Sequence, residues 1–116
     1  MARPVKPRNI CSEPKINIFG PRNLSEEIYV DMSLEEFEAI RLIDHNNLTQ
    51  EECAVFMGVA RTTVQKIYDD ARWKISDTLV NGKTLKIEGG NYSLCTKRPL
   101  GKYCNRKNCK RFDNNI

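Results

Sequence analysis

The stretch that decides the fold is TQEECAVFMGVARTTVQKI, residues 49–67. In it Ala54 is small enough for two helices to cross closely, and Gly58, four residues later, can adopt the positive φ of a tight turn. Val59 then fills the corner between the two helices. The spacing predicts a helix-turn-helix centred on Gly58. An ordinary helical hairpin remains an alternative, because the same apolar spacing would pack any pair of helices.

Capping signals and hydrophobic periodicity predict three helices. Two capping boxes mark helix starts: Ser33 with Glu36, and Thr49 with Glu52. The first predicts an amphipathic helix over residues 34–44, and the second a short helix that ends at Met57. A longer helix is predicted over residues 61–79, ended by an Asn-Gly pair. The apolar face expected for it comprises Val64, Ile67, Ala71, Ile75 and Leu79.

Two short alternating segments predict β-structure. Residues 15–19 and 84–88 each alternate polar and apolar side chains and are followed by glycine. Because an isolated strand leaves its backbone groups unpaired, we expect these two to pair antiparallel, which would make Cys11 and Cys95 neighbours. The fold class is therefore mainly α, a helix-turn-helix domain with a short two-stranded β element and basic N- and C-terminal arms.

Charge is distributed unevenly along the 116 residues. The formal net charge is +4, but residues 1–22 sum to +4, residues 23–60 to −8, residues 61–86 to +3 and residues 87–116 to +5. The basic ends and the basic long helix suit a polyanionic partner. The acidic middle should face away from phosphate or contact a protein.

The expected organisation is a single domain with two arms. Residues 1–14 hold three of the five prolines and predict an extended basic arm, residues 15–92 the helix-turn-helix domain, and residues 93–116 a cysteine-containing basic tail. The sequence has no apolar run long enough for a membrane span and no signal-peptide core. We therefore expect a cytoplasmic protein without a membrane partner.

The polar start of the long helix carries the chemistry of groove recognition. The predicted DNA-binding residues are Arg61, Lys66, Gln65, Thr62, Thr63 and Gln50. Arg61 and Lys66 can donate to guanine O6 and N7, and Gln65 can pair with adenine. Thr62 can meet a thymine methyl group. Thr63 and the glutamine that opens the preceding helix are better placed for phosphate.

The cysteines suggest metal or redox chemistry, because disulfides are disfavoured in the cytosol. The candidate metal ligands are Cys11, Cys95, Cys104 and Cys109. The last three lie in a basic tail, a setting that favours the thiolate form that metals require. Four thiolates suit a zinc ion or an iron-sulfur cluster, and the irregular spacing favours a redox-sensing cluster. Unligated thiols remain the alternative, and Cys53 is expected in the core.

The motif residues and four flanking segments resemble a known family. The segments are FGP (19–21), FEAIRL (37–42), LVNGK (79–83) and IEGGNY (87–92). Over residues 3–92 the chain resembles the prokaryotic domain of unknown function 134 family of predicted DNA-binding proteins. The resemblance implies that the helix-turn-helix is similar to the promoter-reading domain of sigma factors. Where that family tends to have serine, this chain has Ala60, so the usual hydroxyl N-cap of the long helix is missing.

These observations predict a sequence-specific DNA-binding transcriptional regulator, controlled through a cysteine-bound metal or cluster. Its expected partners are double-stranded DNA and a second copy of the chain, with RNA polymerase as a further candidate. The alternative is a metal-stapled adaptor of the transcription machinery without its own DNA specificity. An enzyme is not expected, because the sequence lacks a catalytic triad, a glycine-rich phosphate loop and a metal-binding histidine pair.

Overall fold

The computed structural model describes residues 7–22 and 28–94. Within them the chain forms three α-helices, one π-helical turn and five short strands. The helices are α1 (Leu34–Ile40), α2 (Gln50–Met57) and α3 (Arg61–Asn81), and the π-helical turn is Arg41–His45. The strands are β1 (Arg8–Ile10), β2 (Ile18–Phe19), β3 (Tyr29–Met32), β4 (Thr84–Ile87) and β5 (Tyr92–Leu94). The fold is mainly α, as predicted.

Both predicted capping boxes are present. Ser33 Oγ accepts from the Glu36 amide at 3.1 Å, and the Glu36 carboxylate accepts from the Ser33 amide at 2.9 Å. Thr49 and Glu52 cap α2 with the same two distances. Each pair satisfies amides that have no partner inside the helix, so these two helix starts are set locally.

The first helix is shorter than the predicted span of residues 34–44. It ends at Ile40, and the chain continues as the π-helical turn, closed by the Asn46 amide donating to the Arg41 carbonyl at 2.9 Å. Asn47 then adopts φ 63°, a conformation that asparagine tolerates better than most residues. The prediction of one continuous α-helix is therefore wrong over its last turn.

A three-residue turn joins α2 to α3. Gly58 has φ 70°, in the left-handed region where glycine meets no Cβ penalty. The Val59 amide donates to the Ala54 carbonyl at 3.1 Å, and the Val59 side chain packs against the core. This turn fixes how the two helices meet, as the spacing of small and apolar residues predicted.

The β-structure is larger than the predicted two-stranded element. Strands β2 and β4 pair antiparallel as expected, with Ile18 opposite Lys86. Strand β3 also pairs with β4, in parallel, which gives a three-stranded sheet in the order β2-β4-β3. A separate parallel pair joins β1 to β5, with Arg8 opposite Tyr92. The prediction missed these pairings because they join segments more than fifty residues apart in the chain.

The core consists of two apolar clusters that share α3. One lies among the three helices and holds Cys53, Met57, Val64 and Ile67. The other lies between the sheet, α1 and the middle of α3, and includes Ile10, Met32, Ala71, Leu85 and Ile87. Leu79, predicted on the buried face, is instead 76% exposed, because the last turns of α3 extend beyond the core.

Polar contacts hold α3 to the rest of the molecule. Lys74 Nζ lies 2.8 Å from Oε1 of Glu36, a buried carboxylate on α1. Tyr68 donates to Asp44 in the π-helical turn at 2.6 Å, and this hydrogen bond raises the pKa of Tyr68 above its usual 10.0. Contacts on two sides therefore fix the orientation of α3.

In the described parts of the chain, no helix combines the length and apolar character needed to cross a membrane.

Candidate nucleic-acid interface

The first two turns of α3 present a polar surface, and buried side chains of the same turns hold it on the core. Val64 is fully buried and Ile67 is 8% exposed, so both hold the helix on the core. Thr62, Gln65 and Lys66 alternate with them and are exposed. At three and four residues apart, these side chains lie on one side of the helix. The sequence-predicted contact residues are therefore brought together, with Thr63 half-buried at their edge.

The start of α2 lies beside the start of α3. Arg61 donates from Nη1 to Gln50 Oε1 over 3.2 Å. These two residues are eleven positions apart in the chain, and the turn at Gly58 brings them together. The hydrogen bond places the Arg61 guanidinium on the side of α3 that faces α2. Arg61 and Gln50 therefore form one edge of the polar surface.

Charge at this surface is positive in the first turn and mixed further along. Between Gly58 and Tyr68 the chain has two basic residues and no acidic residue. Lys66 Nζ then lies 3.4 Å from the Asp70 carboxylate, and the two side chains are 80% and 50% exposed. Such an exposed pair contributes at most about 1 kcal/mol, so Lys66 can turn to another anion at little cost.

Strand β1 packs beside this surface, which the sequence did not predict. Arg8 lines two grooves that flank the start of α3, one along Gly58–Ala60 and one along Thr62 and Lys66. The neighbouring Asn9 lies against the turn, since a Cβ on Gly58 would meet Asn9 Nδ2 at 3.0 Å. No local sequence signal marks this contact, because the strand that holds β1 in place is more than eighty residues away.

Arg8 is also tied to the fold behind the surface. Its Nε lies 3.5 Å from the Glu35 carboxylate on α1, and its amide donates to the Asn91 carbonyl at 3.0 Å. Glu35 in turn accepts from the Asn91 amide. The start of α3, the N-terminal strand and the loop before β5 therefore form one connected region.

The start of α3 lacks a side-chain cap. Ala60 has the extended backbone of an N-cap residue, with φ −72° and ψ 153°, but no side-chain hydrogen bond is present there. The first amides of a helix have no partner within the helix, and together with the helix dipole they favour an anion. The missing hydroxyl therefore leaves those amides to solvent or to a ligand.

The cysteines are only partly within the described residues. Cys11 directly follows β1, is half-buried, and its amide donates to Glu38 Oε2 at 3.1 Å. Cys53 is fully buried, with Sγ 3.6 Å from Met57 Sδ, as expected for a core position. Cys95, Cys104 and Cys109 lie outside the described residues, and so does the predicted proximity of Cys11 to Cys95. Among residues 7–22 and 28–94 no cluster of three or more histidine, cysteine or acidic side chains could hold a metal.

Comparison with known proteins places this small, mainly α protein in a family. The family model described as "Protein of unknown function DUF134" matches residues 1–95. The chain therefore belongs to the DUF134 family, as its sequence motifs indicated.

Relatives of the chain carry the name UPF0251 protein. The one from Desulfitobacterium hafniense is 51% identical over 113 residues, covering 96% of this chain and 89% of its own. Another, from Caldicellulosiruptor bescii, is 50% identical over 92 residues, covering 79% of this chain and 65% of its own. A third, from a Thermoanaerobacter species, is 44% identical over 103 residues, covering 87% and 91%. No solved structure matches the chain.

Proposed function

We propose that this protein is a sequence-specific DNA-binding transcriptional regulator. In this proposal α2, the turn at Gly58 and α3 act as a sigma-factor-like helix-turn-helix, and the start of α3 enters the major groove. The observation that carries it is the exposed set Thr62, Gln65 and Lys66 on a helix held rigidly by buried Val64 and Ile67. The major groove of B-DNA is wide enough to admit such a helix.

The exposed residues divide into base-reading and backbone-binding groups. Gln65 and Lys66 have the donor and acceptor groups to read adenine and guanine edges, and Thr62 can contact a thymine methyl group. Arg61 is hydrogen-bonded to Gln50, which supports a role at the phosphate edge rather than deep in the groove. The uncapped amides at the start of α3 add donors for the same backbone.

The contacts of α1 favour this function over the adaptor alternative. An adaptor that used the acidic middle of the sequence would need free carboxylates on α1 for its partner. The three carboxylates of α1 are engaged within the chain: Glu35 with Arg8, Glu36 with Lys74, and Glu38 with Arg41. Glu38 is fully buried and Glu36 is 7% exposed. They stabilise the fold and leave little charge on α1 for a partner.

Control by a metal or an iron-sulfur cluster remains a hypothesis from the cysteine pattern. Four thiolates could hold zinc or a cluster, and either would couple the basic tail to DNA affinity. Purification of the full chain without oxygen, followed by metal analysis and absorbance spectroscopy, tests it. Iron with sulfide or stoichiometric zinc is expected. A protein with neither metal overturns the hypothesis without affecting DNA binding through α3.

Selection from random DNA tests the proposed function directly. The full chain is incubated with a pool of random duplexes, and the bound fraction is recovered, amplified and sequenced. A short enriched motif is expected from the wild type. The Gln65→Ala variant should lose preference at one position of that motif, because a good bidentate contact contributes about 1–3 kcal/mol of discrimination. A wild-type pool that stays random after repeated rounds contradicts the proposal.

A further inference from the structure

The last turns of α3 carry an exposed apolar surface that the proposed reading of DNA does not use. Trp73, Leu79 and Val80 are 64%, 76% and 80% exposed. Trp73 and Val80 are seven residues apart, so they lie one above the other two turns along the helix. Ser76 lies between them. We call this surface, formed by Trp73, Ser76, Leu79 and Val80, the α3 stripe.

Trp73 and Val80 face away from the molecule's own core, whereas Leu79 lies nearer the core-facing side and is exposed because the last turns of α3 extend beyond the core. The buried residues of α3 are Val64, Ile67 and Ala71, with Ile75 packed against the sheet cluster. Trp73 follows Ala71 by two residues, a rotation of about 200° around the helix, which turns it to the opposite side. The chain's single tryptophan is therefore presented to solvent, where large aromatic side chains usually mark a contact surface.

We propose that the α3 stripe is a two-fold interface with a second copy of this chain. Trp73 and Leu79 are each three residues from Ser76. When two α3 helices cross antiparallel beside Ser76, each Trp73 meets Val80 of the other copy, and Leu79 lies at the edge of the contact. A symmetric interface requires such self-complementarity, because the same patch serves both sides. The small Ser76 at the centre allows the helices to approach closely.

Polar groups around the stripe can be covered at little cost. Ser76 Oγ donates to the Trp73 carbonyl at 3.1 Å. Asp77 accepts from Asn81 at 2.7 Å and from Lys83 at 2.9 Å. Because these groups already have partners within the chain, a contact over them breaks fewer hydrogen bonds to water. The polar surroundings of the stripe are thus compatible with burial.

The exposed apolar area of the stripe is a substantial part of the area that a stable dimer interface buries. The three apolar side chains expose on the order of 400 Å² in each copy, within the range of the largest apolar patches on monomeric proteins. Two copies would remove roughly 800 Å² from these residues alone, about half of a standard interface, before any flanking contact is counted. A second copy of the chain would cover this apolar surface.

Sedimentation and tryptophan emission of the full chain, measured without DNA, test the interface. We expect a monomer–dimer equilibrium between about 1 and 200 µM, with Trp73 emission shifting to the blue as the dimer forms. Val80→Glu and Leu79→Glu keep the tryptophan reporter and should each raise the dimer Kd at least about tenfold. Val55→Glu is the matched control, since Val55 is 72% exposed on α2, outside the stripe. It should dimerise like the wild type.

Two results overturn the interface. One is a wild type that stays monomeric over the whole concentration range. The other is a dimer that Val80→Glu and Leu79→Glu leave as tight as in the Val55→Glu control, with circular dichroism showing that all variants fold. A monomer that still binds its selected duplex refutes the interface alone. A dimer that binds no DNA refutes the proposed function alone.

Discussion

Arg61 donates a hydrogen bond to Gln50 across the turn, Nη1 to Oε1 at 3.2 Å, and so joins the starts of α2 and α3. Gln50 is half-buried, whereas Arg61 is exposed. The contact therefore holds an exposed guanidinium against a half-buried residue. In the proposed complex it fixes where the Arg61 charge meets the DNA backbone.

Removing the Gln50 side chain should weaken DNA binding without changing sequence preference. We expect Gln50→Ala to lower affinity for the selected duplex about threefold to tenfold, the equivalent of one hydrogen bond of about 1 kcal/mol. Gln50→Glu still accepts from Arg61 but adds a negative charge, so it should bind more weakly than Gln50→Ala. Fluorescence anisotropy with a labelled duplex measures both variants. Unchanged affinity in both would show that the contact plays no part in binding.

A serine at position 60 should stabilise the protein. The Ala60 backbone already has N-cap geometry but no side-chain acceptor, so Ala60→Ser is expected to raise the free energy of unfolding by about 0.5–1 kcal/mol. Urea unfolding followed by circular dichroism measures the change. Thr49→Ala, which removes the corresponding hydroxyl from α2, should lower it by a similar amount. A loss of stability in Ala60→Ser would mean that the start of α3 differs from the one described.

The role of Gly58 in the turn can be distinguished from the general cost of replacing a glycine that has a positive φ. Gly58 and Gly82 both end helices with positive φ, 70° and 66°. Alanine at either should cost about 1–2 kcal/mol of stability, the penalty of a left-handed backbone. Only Gly58 lies at the turn and beside Asn9, so only Gly58→Ala should also weaken binding of the selected duplex. Equal DNA affinity in the two variants would argue that the turn does not set the interface.

The stabilising contribution of Asp77 at the end of α3 should be lost at acid pH. Hydrogen bonds from Lys83 and then Asn81 lower the pKa of Asp77 below its ordinary 3.8. A carboxylate whose folded-state pKa is lowered stabilises the fold above its unfolded pKa, and this contribution is lost as pH falls through the folded value. We expect NMR titration of Lys83→Gln to show the pKa of Asp77 moving up towards 3.8. Lys86→Gln, which changes a pair with Glu88 instead, should leave it in place. No difference between the two variants would rule out Lys83 as the main cause.

The helices could be predicted from sequence because their signals are local. Ser33 with Glu36, Thr49 with Glu52, and the glycines at positions 58 and 82 act within one or two turns of the chain. The polar surface of α3 could be predicted from the 3.6-residue period alone, and Thr62, Gln65 and Lys66 are exposed as that period requires. Its use in DNA reading is a chemical inference that the fold permits.

The remaining features depend on contacts between distant segments. Arg8 and Ile10 lie in a proline-rich segment without a strand signal, and they are ordered by pairing with β5. Leu79 fits the apolar period of α3, but nothing in its own segment reveals that Ile75, one turn earlier, makes the last contact of this face with the core. The π-helical turn after Ile40 follows a capping box that marks the start of α1 and says nothing about its end.

The salt dependence of DNA binding tests the central claim most directly. If the start of α3 lies in the groove with Arg61 at a phosphate, log affinity for the selected duplex falls linearly with log salt, with a slope of about −0.9 per phosphate contacted. Arg61→Ala should reduce that slope by about one, whereas Lys15→Ala, an exposed charge near β2, should leave it unchanged. An affinity that does not change with salt, or the same slope in Arg61→Ala as in the wild type, would contradict the account.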